Sequence, residues 1–185
     1  KKVLPRYWND PQFGIARRGV PGVGVTWYEA NAYCKWLQAH WADLVEARQN
    51  PFSALKQARL PLEHEWEQAA GGLKPENRYA WDDPGKVTYN QQEILRRANV
   101  FESGINRTTP VGMYPLGASP TGIFDLSGNV WEWQANYYDT DHDVFALRGG
   151  SWDYDLDNPR VAERYGSSPG DGWSYGGFRV VVFPS

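Results

Sequence analysis

Arg148-Gly149-Gly150-Ser151-Trp152 opens a C-terminal stretch that closes with Gly177-Phe178-Arg179-Val180-Val181, and between these two posts runs a different kind of sequence. The filling, Asp153 to Gly176, is dominated by Asp, Tyr, Ser and Gly and holds one Trp. That mixture supplies large rigid contacts together with adaptable hydrogen bonding, the composition that paratopes use. It points to a binding surface carried on a fixed backbone and away from a catalytic pocket.

Working outward, the rest of the chain narrows the alternatives. Its 185 residues suffice for one domain with a substantial core and no disulfide or metal staple, so a single domain over 1–185 is expected, with 153–176 as its variable segment. A net charge of −3 and the lack of any Lys/Arg run argue against nucleic acid as a partner. No apolar run approaches the roughly 18 residues of a membrane span. The lone Cys34 rules out an internal disulfide framework and permits a reducing compartment, including the cytoplasm. Because the first residue is Lys and not Met, further domains or a segment for surface display are left open. Ten Trp predict a core built heavily from indoles.

Local patterns place two helices. Thr26 and Glu29 have capping-box spacing, and Ala30, Tyr33, Cys34 and Leu37 follow on one helical face. A second helix is predicted from about Pro61 through Glu63, Glu65 and Trp66 to the stop at Gly71-Gly72. Trp41 to Lys56 reads as a continuation or an insertion interrupted at Asn50-Pro51. From Tyr79 onward, Gly, Pro, Asn and Asp punctuate short segments. The strand candidates there are Val130 to Gln134, the approach to Arg148, and Phe178 to Phe183, the last read as a buried terminal strand. An α+β fold follows, with two helices on a short irregular antiparallel sheet and many loops needing support other than ladders.

Several ordered motifs then converge. Gly24-Val25-Thr26-Trp27-Tyr28-Glu29-Ala30, Arg59-Leu60-Pro61 with Glu65-Trp66-Glu67, Ala98-Asn99-Val100, Thr109-Pro110-Val111-Gly112, Gly122 to Trp133, and the two posts of the C-terminal stretch together resemble the formylglycine-generating-enzyme (sulfatase-modifying factor) superfamily. The resemblance covers nearly the whole chain and implies that family's variant of the C-type lectin fold. Oxidase members hold copper with a pair of thiols between the posts. This chain has none there, and soft thiolates have no substitute in Asp or Tyr at a copper(I) site. Sulfoxide-synthase relatives use an iron held by several histidines, whereas His40, His64 and His142 are scattered here. No copper or iron is therefore expected.

A nearer resemblance is to the ligand-binding variable proteins of diversity-generating retroelements. Their pattern is met by Arg148 to Trp152, Arg160, Ala162, Arg164, Pro169 and Gly177 to Val180. The resemblance implies adenine-directed diversification at the positions between: Asp153, Tyr154, Asp155, Asp157, Asn158, Tyr165, Gly166, Ser168, Asp171, Ser174 and Tyr175, with Glu163 and Trp173 also reachable. The ligand is then a protein or other macromolecule, Trp173 is expected as an exposed anchor, and Tyr154 and Trp173 are expected to be replaceable without loss of stability. Arg160, Arg164 and Arg179 are expected to fix the backbone, while Trp131, Trp133 and Trp152 pack beneath it. The alternatives are an oxidoreductase or sulfoxide-synthase relative with an altered metal site, and an accessory domain of a longer protein.

Two further readings concern cations. Asp153, Asp155 and Asp157 open like an EF-hand, but Asn158 and Arg164 stand where a Gly and a bidentate Glu are needed. The family resemblance also implies a structural calcium held by Asp125 and Glu132 with the carbonyls of Gly128 and Val130. Otherwise those carboxylates simply accept backbone hydrogen bonds. A second family calcium loop would lie at Asn99, Val100, Ser103 and Ile105, with Ser103 in place of a carboxylate.

Overall fold

The computed structural model describes residues 4–46, 55–74, 78–83 and 85–184. Helix α1 (Trp27–Ala39) begins as its sequence dictates. The Thr26 Oγ1 accepts from the Glu29 amide, and the Glu29 carboxylate accepts from the Thr26 amide at 2.8 Å. Ala30 and Cys34 are fully buried against the core, while Tyr33 on the expected face is largely exposed. Helix α2 (Trp41–Glu46) follows directly, so the first part of the Trp41 to Lys56 stretch continues helically. Asn50-Pro51 lies outside the described residues.

Strand β1 (Leu55–Arg59) ends that stretch and was not predicted. It pairs antiparallel with β6 (Val181–Pro184), Ala58 opposite Val182 and Arg59 opposite Val181. Because β6 has only this neighbour among the described residues, its residues alternate between half-buried and exposed, which corrects the expectation of a buried terminal strand. Helix α3 (Glu63–Ala69) starts two residues after Pro61, with Leu62 as its N-cap. The Leu62 side chain offers no acceptor, so two other side chains cap: the Glu65 carboxylate accepts from the Leu62 amide and Asn136 Oδ1 from the Glu63 amide, each at 2.8 Å. Gly71 and Gly72, both at positive φ, follow the C-cap Ala70.

The same Glu65 takes a bidentate pair from Arg59, at 2.6 Å for each bond. The Arg59 hydrogen bonds, opposed by partial burial, bring the Glu65 carboxyl down to about 2. A carboxyl held below its unfolded value stabilises fully above that value and loses the contribution as pH falls toward the folded one. Glu65→Gln is therefore expected to cost stability at neutral pH, with the gap to the parent closing between roughly pH 4.5 and 2. Melting curves across that range would show it, and a gap independent of pH would contradict it.

Helix α4 (Gln91–Leu95), capped by Asn90, and short 3₁₀ turns at Phe101–Ser103 and Pro115–Gly117 lead to the main sheet. It has four strands in the order β4-β3-β2-β5: β2 (Trp131–Tyr137), β3 (Phe145–Arg148), β4 (Tyr165–Ser167) and β5 (Gly176–Gly177). The β2–β5 pairing is parallel, so the sheet is mixed and not wholly antiparallel. Trp131 and Trp133 pack with Phe145, Leu147, Leu60, Ala30 and Cys34 in the largest apolar cluster.

Much of the loop support expected from something other than ladders comes from the indoles. Trp27 Nε1 donates to the Gln134 carbonyl at 2.9 Å, Trp133 Nε1 to Val25 at 3.1 Å, and Trp152 Nε1 to Ser174 at 3.2 Å. Each ring fills core volume while its N–H pins a segment distant in sequence.

Candidate functional site

The stretch 153–176 leaves β3 through a tight reversal at Gly149-Gly150, both at positive φ, and returns along the outer edge of the sheet as β4 before entering β5. Buried posts hold it down: Ser151, Trp152, Pro159, Val161, Ser167, Gly176 and Gly177. Between them none of the positions named for diversification is buried: Asp153, Asp155, Asp157, Tyr165 and Ser168 are exposed and the others are partly buried. Of the sequence-assigned posts, Ala162 is itself exposed, and the buried residue at that point is its neighbour Val161.

The arginines behave as expected, and Arg148 and Arg164 converge on helix α3 acids whose pairing the sequence does not reveal. Arg148 is 2 % exposed, and its Nε donates to Glu63 at 2.6 Å while Nη2 reaches Glu67. Its Nη1 donates to the carbonyls of Val161 at 2.9 Å and Glu163 at 3.2 Å, inside the variable segment. Arg164 closes a second pair on Glu63, at 2.7 and 2.6 Å, and reaches the Tyr138 carbonyl. Burial would raise the Glu63 carboxyl, but bonds from Arg164, Asn136 and Arg148 outweigh it and hold the group below its ordinary value. Arg160 pairs with Glu163 and donates to the Asp157 carbonyl. The signal missed in the sequence was Glu63 and Glu67 one helical turn apart, matched to arginines with few acids beside them.

Two side chains named as free contact residues are not free. Trp173 is half-buried, parallel to Tyr175 at 5.6 Å and stacked over Trp133 at 6.0 Å, so it extends the core instead of standing exposed. Tyr154 packs edge-on against Trp131 at 5.7 Å and Tyr175 at 5.5 Å, and its carbonyl accepts from the Phe101 amide. Neither is replaceable without a stability cost, because truncation would open a cavity in the cluster. At Gly166 an added Cβ would lie 2.7 Å from the Tyr138 ring, which restricts that position to glycine unless the ring moves.

The side chains named for calcium are already engaged. Glu132 accepts Arg179 Nε and Nη2, both at 2.6 Å, and Trp66 Nε1 at 2.9 Å. Asp125 accepts the Gly112 amide at 2.7 Å, and burial raises its carboxyl. Gly128, at positive φ, brings its backbone so close to Asn99 that a Cβ would sit 2.6 Å from the Asn99 carbonyl oxygen. In the second loop, Ser103 Oγ donates to Asn99 Oδ1, and Asn99 Nδ2 donates to the Arg107 carbonyl. A hard cation at Asp125, Gly128, Val130 and Glu132 would have to displace an arginine, so this donor set does not fit it. EDTA is expected to leave the melting temperature unchanged; a fall of several degrees, reversed by calcium, would restore the cation.

Elsewhere, Cys34 is buried, and burial pushes its thiol up to about 11. Among the described residues no three His, Cys, Asp or Glu side chains gather as a metal-holding group, and no helix is long and apolar enough to cross a membrane.

Comparison with known proteins places these features. Residues 8–183 match the model of the sulfatase-modifying factor enzyme 1-like domain. The chain is 34% identical over 189 residues to the inactive C-alpha-formylglycine-generating enzyme 2 of Bos taurus, covering 95% of this chain and 56% of that protein. It is 34% identical over 178 residues to the serine/threonine-protein kinase pkn1 of Chlamydia caviae, covering 87% of this chain and 24% of that one. The chain thus spans little more than half of the first relative and about a quarter of the second. Among solved structures it resembles Treponema denticola variable protein 1, with a TM-score of 0.70 and 23% identity over 99% of this chain and 78% of that one.

Proposed function

The chain belongs to the sulfatase-modifying factor enzyme 1-like domain family, and from that premise we propose that it is a non-enzymatic ligand-binding domain whose C-terminal segment is diversified by a retroelement. The observation that carries the reading is the alternation along 153–176: posts buried or ion-paired, and intervening side chains that, Tyr154 and Trp173 apart, stand at the surface in a mixture rich in Asp, Tyr and Ser. Such a segment changes its outward residues at little cost to the core.

The chemistry of the cysteine supports the same reading. Thiol oxidation of a substrate cysteine at copper needs accessible thiolates. The one thiol here is enclosed in the apolar cluster and held protonated by burial. One relative is named an inactive enzyme, and the fold it shares with Treponema denticola variable protein 1 is compatible with display of a variable surface. Since the relatives are longer, we take the domain to be the recognition part of a larger protein whose partner is a macromolecule.

The test is direct. Incubated with copper(I), oxygen and a cysteine-containing peptide, the protein is expected to yield no aldehyde product by mass spectrometry. Catalytic conversion to an aldehyde would overturn the non-enzymatic reading.

A further inference from the structure

We propose that the outward face of 153–176 recognises a protein partner through an arginine side chain laid on an aromatic platform beside Asp153. This rests on the ligand-binding reading above and adds the chemistry of what is bound. The platform is continuous. Trp173 and Tyr175 lie parallel within 4°, Tyr175 meets Tyr154 at 5.5 Å, and Tyr154 meets Tyr165 at 6.3 Å. Tyr165 is the most outlying ring, 39% exposed, and Tyr154 and Tyr175 are partly open to solvent.

The charge within the segment is largely acidic, and the one outside cation seen to touch its backbone among the described residues, besides Arg148, is Arg6, which donates to the Gly172 carbonyl at 3.4 Å. The segment carries five carboxylates against two guanidiniums. Both guanidiniums are neutralised by acids, Arg160 by Glu163 and Arg164 by Glu63, and Asp157 is neutralised by Arg78. Of the acids left, Asp155 accepts from the Asp157 amide and Asn158, and Asp171 accepts from Ser167 Oγ. The Asp153 carboxylate has neither an ion pair nor a hydrogen bond among the described residues and is exposed. Asp153 immediately precedes Tyr154, the ring that joins Tyr175 to Tyr165, and its amide is tied to Ser151 Oγ at 3.3 Å, which keeps it at the edge of the platform.

An unpaired carboxylate next to electron-rich ring faces selects a cation. Between the two biological cations, the guanidinium is the better fit. It is planar, less strongly hydrated than an ammonium, stacks on ring faces and presents a fork to a carboxylate. A neutral or acidic group would leave Asp153 unpaired or repelled. Among the described residues no lysine lies in the segment to compete for it.

The probes are four short capped peptides, Gly-X-Gly, with X as arginine, lysine, citrulline or glutamate, titrated into the whole chain and followed by backbone amide shifts in NMR. The arginine peptide is expected to give saturable shifts confined to 153–176, with citrulline binding at least ~5-fold more weakly because it keeps the shape and loses the charge. Asp153→Asn, an exposed and near-isosteric change, is expected to weaken arginine binding by a similar factor, as is raising salt from about 0.05 to about 0.5 M. Equal binding of citrulline, tighter binding of lysine, indifference to Asp153→Asn, or no shifts in the segment would each overturn the arginine proposal. Citrulline binding at 153–176 as tightly as arginine, or glutamate binding there, would do so while leaving the segment a binding surface, so the two failures are separable.

Discussion

Arg148→Ala is expected to destabilise the protein by about 3–5 kcal/mol, the cost of removing one partner from a buried ion pair. The guanidinium is 2 % exposed and holds Glu63, Glu67 and two carbonyls of the variable segment at once. Alanine would leave Glu67 without this partner and Glu63 with Arg164 and Asn136 only. It would also release the segment at Val161 and Glu163. In a chain of this size the loss corresponds to a fall of roughly 10 °C in melting temperature. Arg148→Lys is expected to recover only part of it, since one ammonium cannot span four acceptors placed for a planar fork. Equilibrium denaturation measures both. A loss below about 1 kcal/mol would mean that the network is incidental to stability.

The second large effect is expected from Gly150→Ala. Gly150 has φ of +71°, and an added Cβ would lie 2.7 Å from the Pro159 nitrogen and 2.8 Å from its Cα. Both atoms are backbone, so nothing can swing aside. Left-handed strain on a residue with a Cβ costs about 1–2 kcal/mol, and overpacking against fixed atoms adds about 1–3 kcal/mol. The displaced element would be Asn158-Pro159, the first post after Asp153, so amide shifts should spread through 153–164 as stability falls. Gly170→Ala in the same segment serves as the control. No atom lies within 4 Å of its added Cβ and its φ is not left-handed, so its melting temperature should stay within a degree or two. Equal effects of the two changes would contradict the division between fixed posts and free positions.

What was legible in the sequence was local. The Thr26–Glu29 capping box set the start of α1 because its interactions close within one turn. The burial of Trp131, Trp133 and Trp152 followed from their setting in fixed motifs. Strand β1 was not legible because Leu55-Lys56-Gln57-Ala58-Arg59 has neither alternation nor β-branched residues; it is a strand because β6, from the far end of the chain, pairs with it. For the same reason Val180-Val181-Val182 read as buried. Composition does not reveal that a strand lies at an edge. In the candidate site, the posts and the outward positions were readable as a pattern, but the inward turn of Trp173 and Tyr154 depends on tertiary neighbours. Glu63 reads from sequence as part of a helix and of the family motif but not as an ion-pair partner, since that role is set by Arg148 and Arg164, brought to it by folding.

If buried posts carry positions at which residues are written anew, the DNA on either side of this gene should hold the template. Sequencing it is expected to show a near copy of the segment encoding Arg148 to Val181, differing almost only where the copy carries adenines, with a reverse-transcriptase gene beside it. Its differences should fall on the outward positions and spare Gly150, Val161 and the arginine codons. Flanking sequence with no such copy, or a copy whose differences fall equally on the buried posts, would rule out diversification and leave a binding domain of fixed specificity.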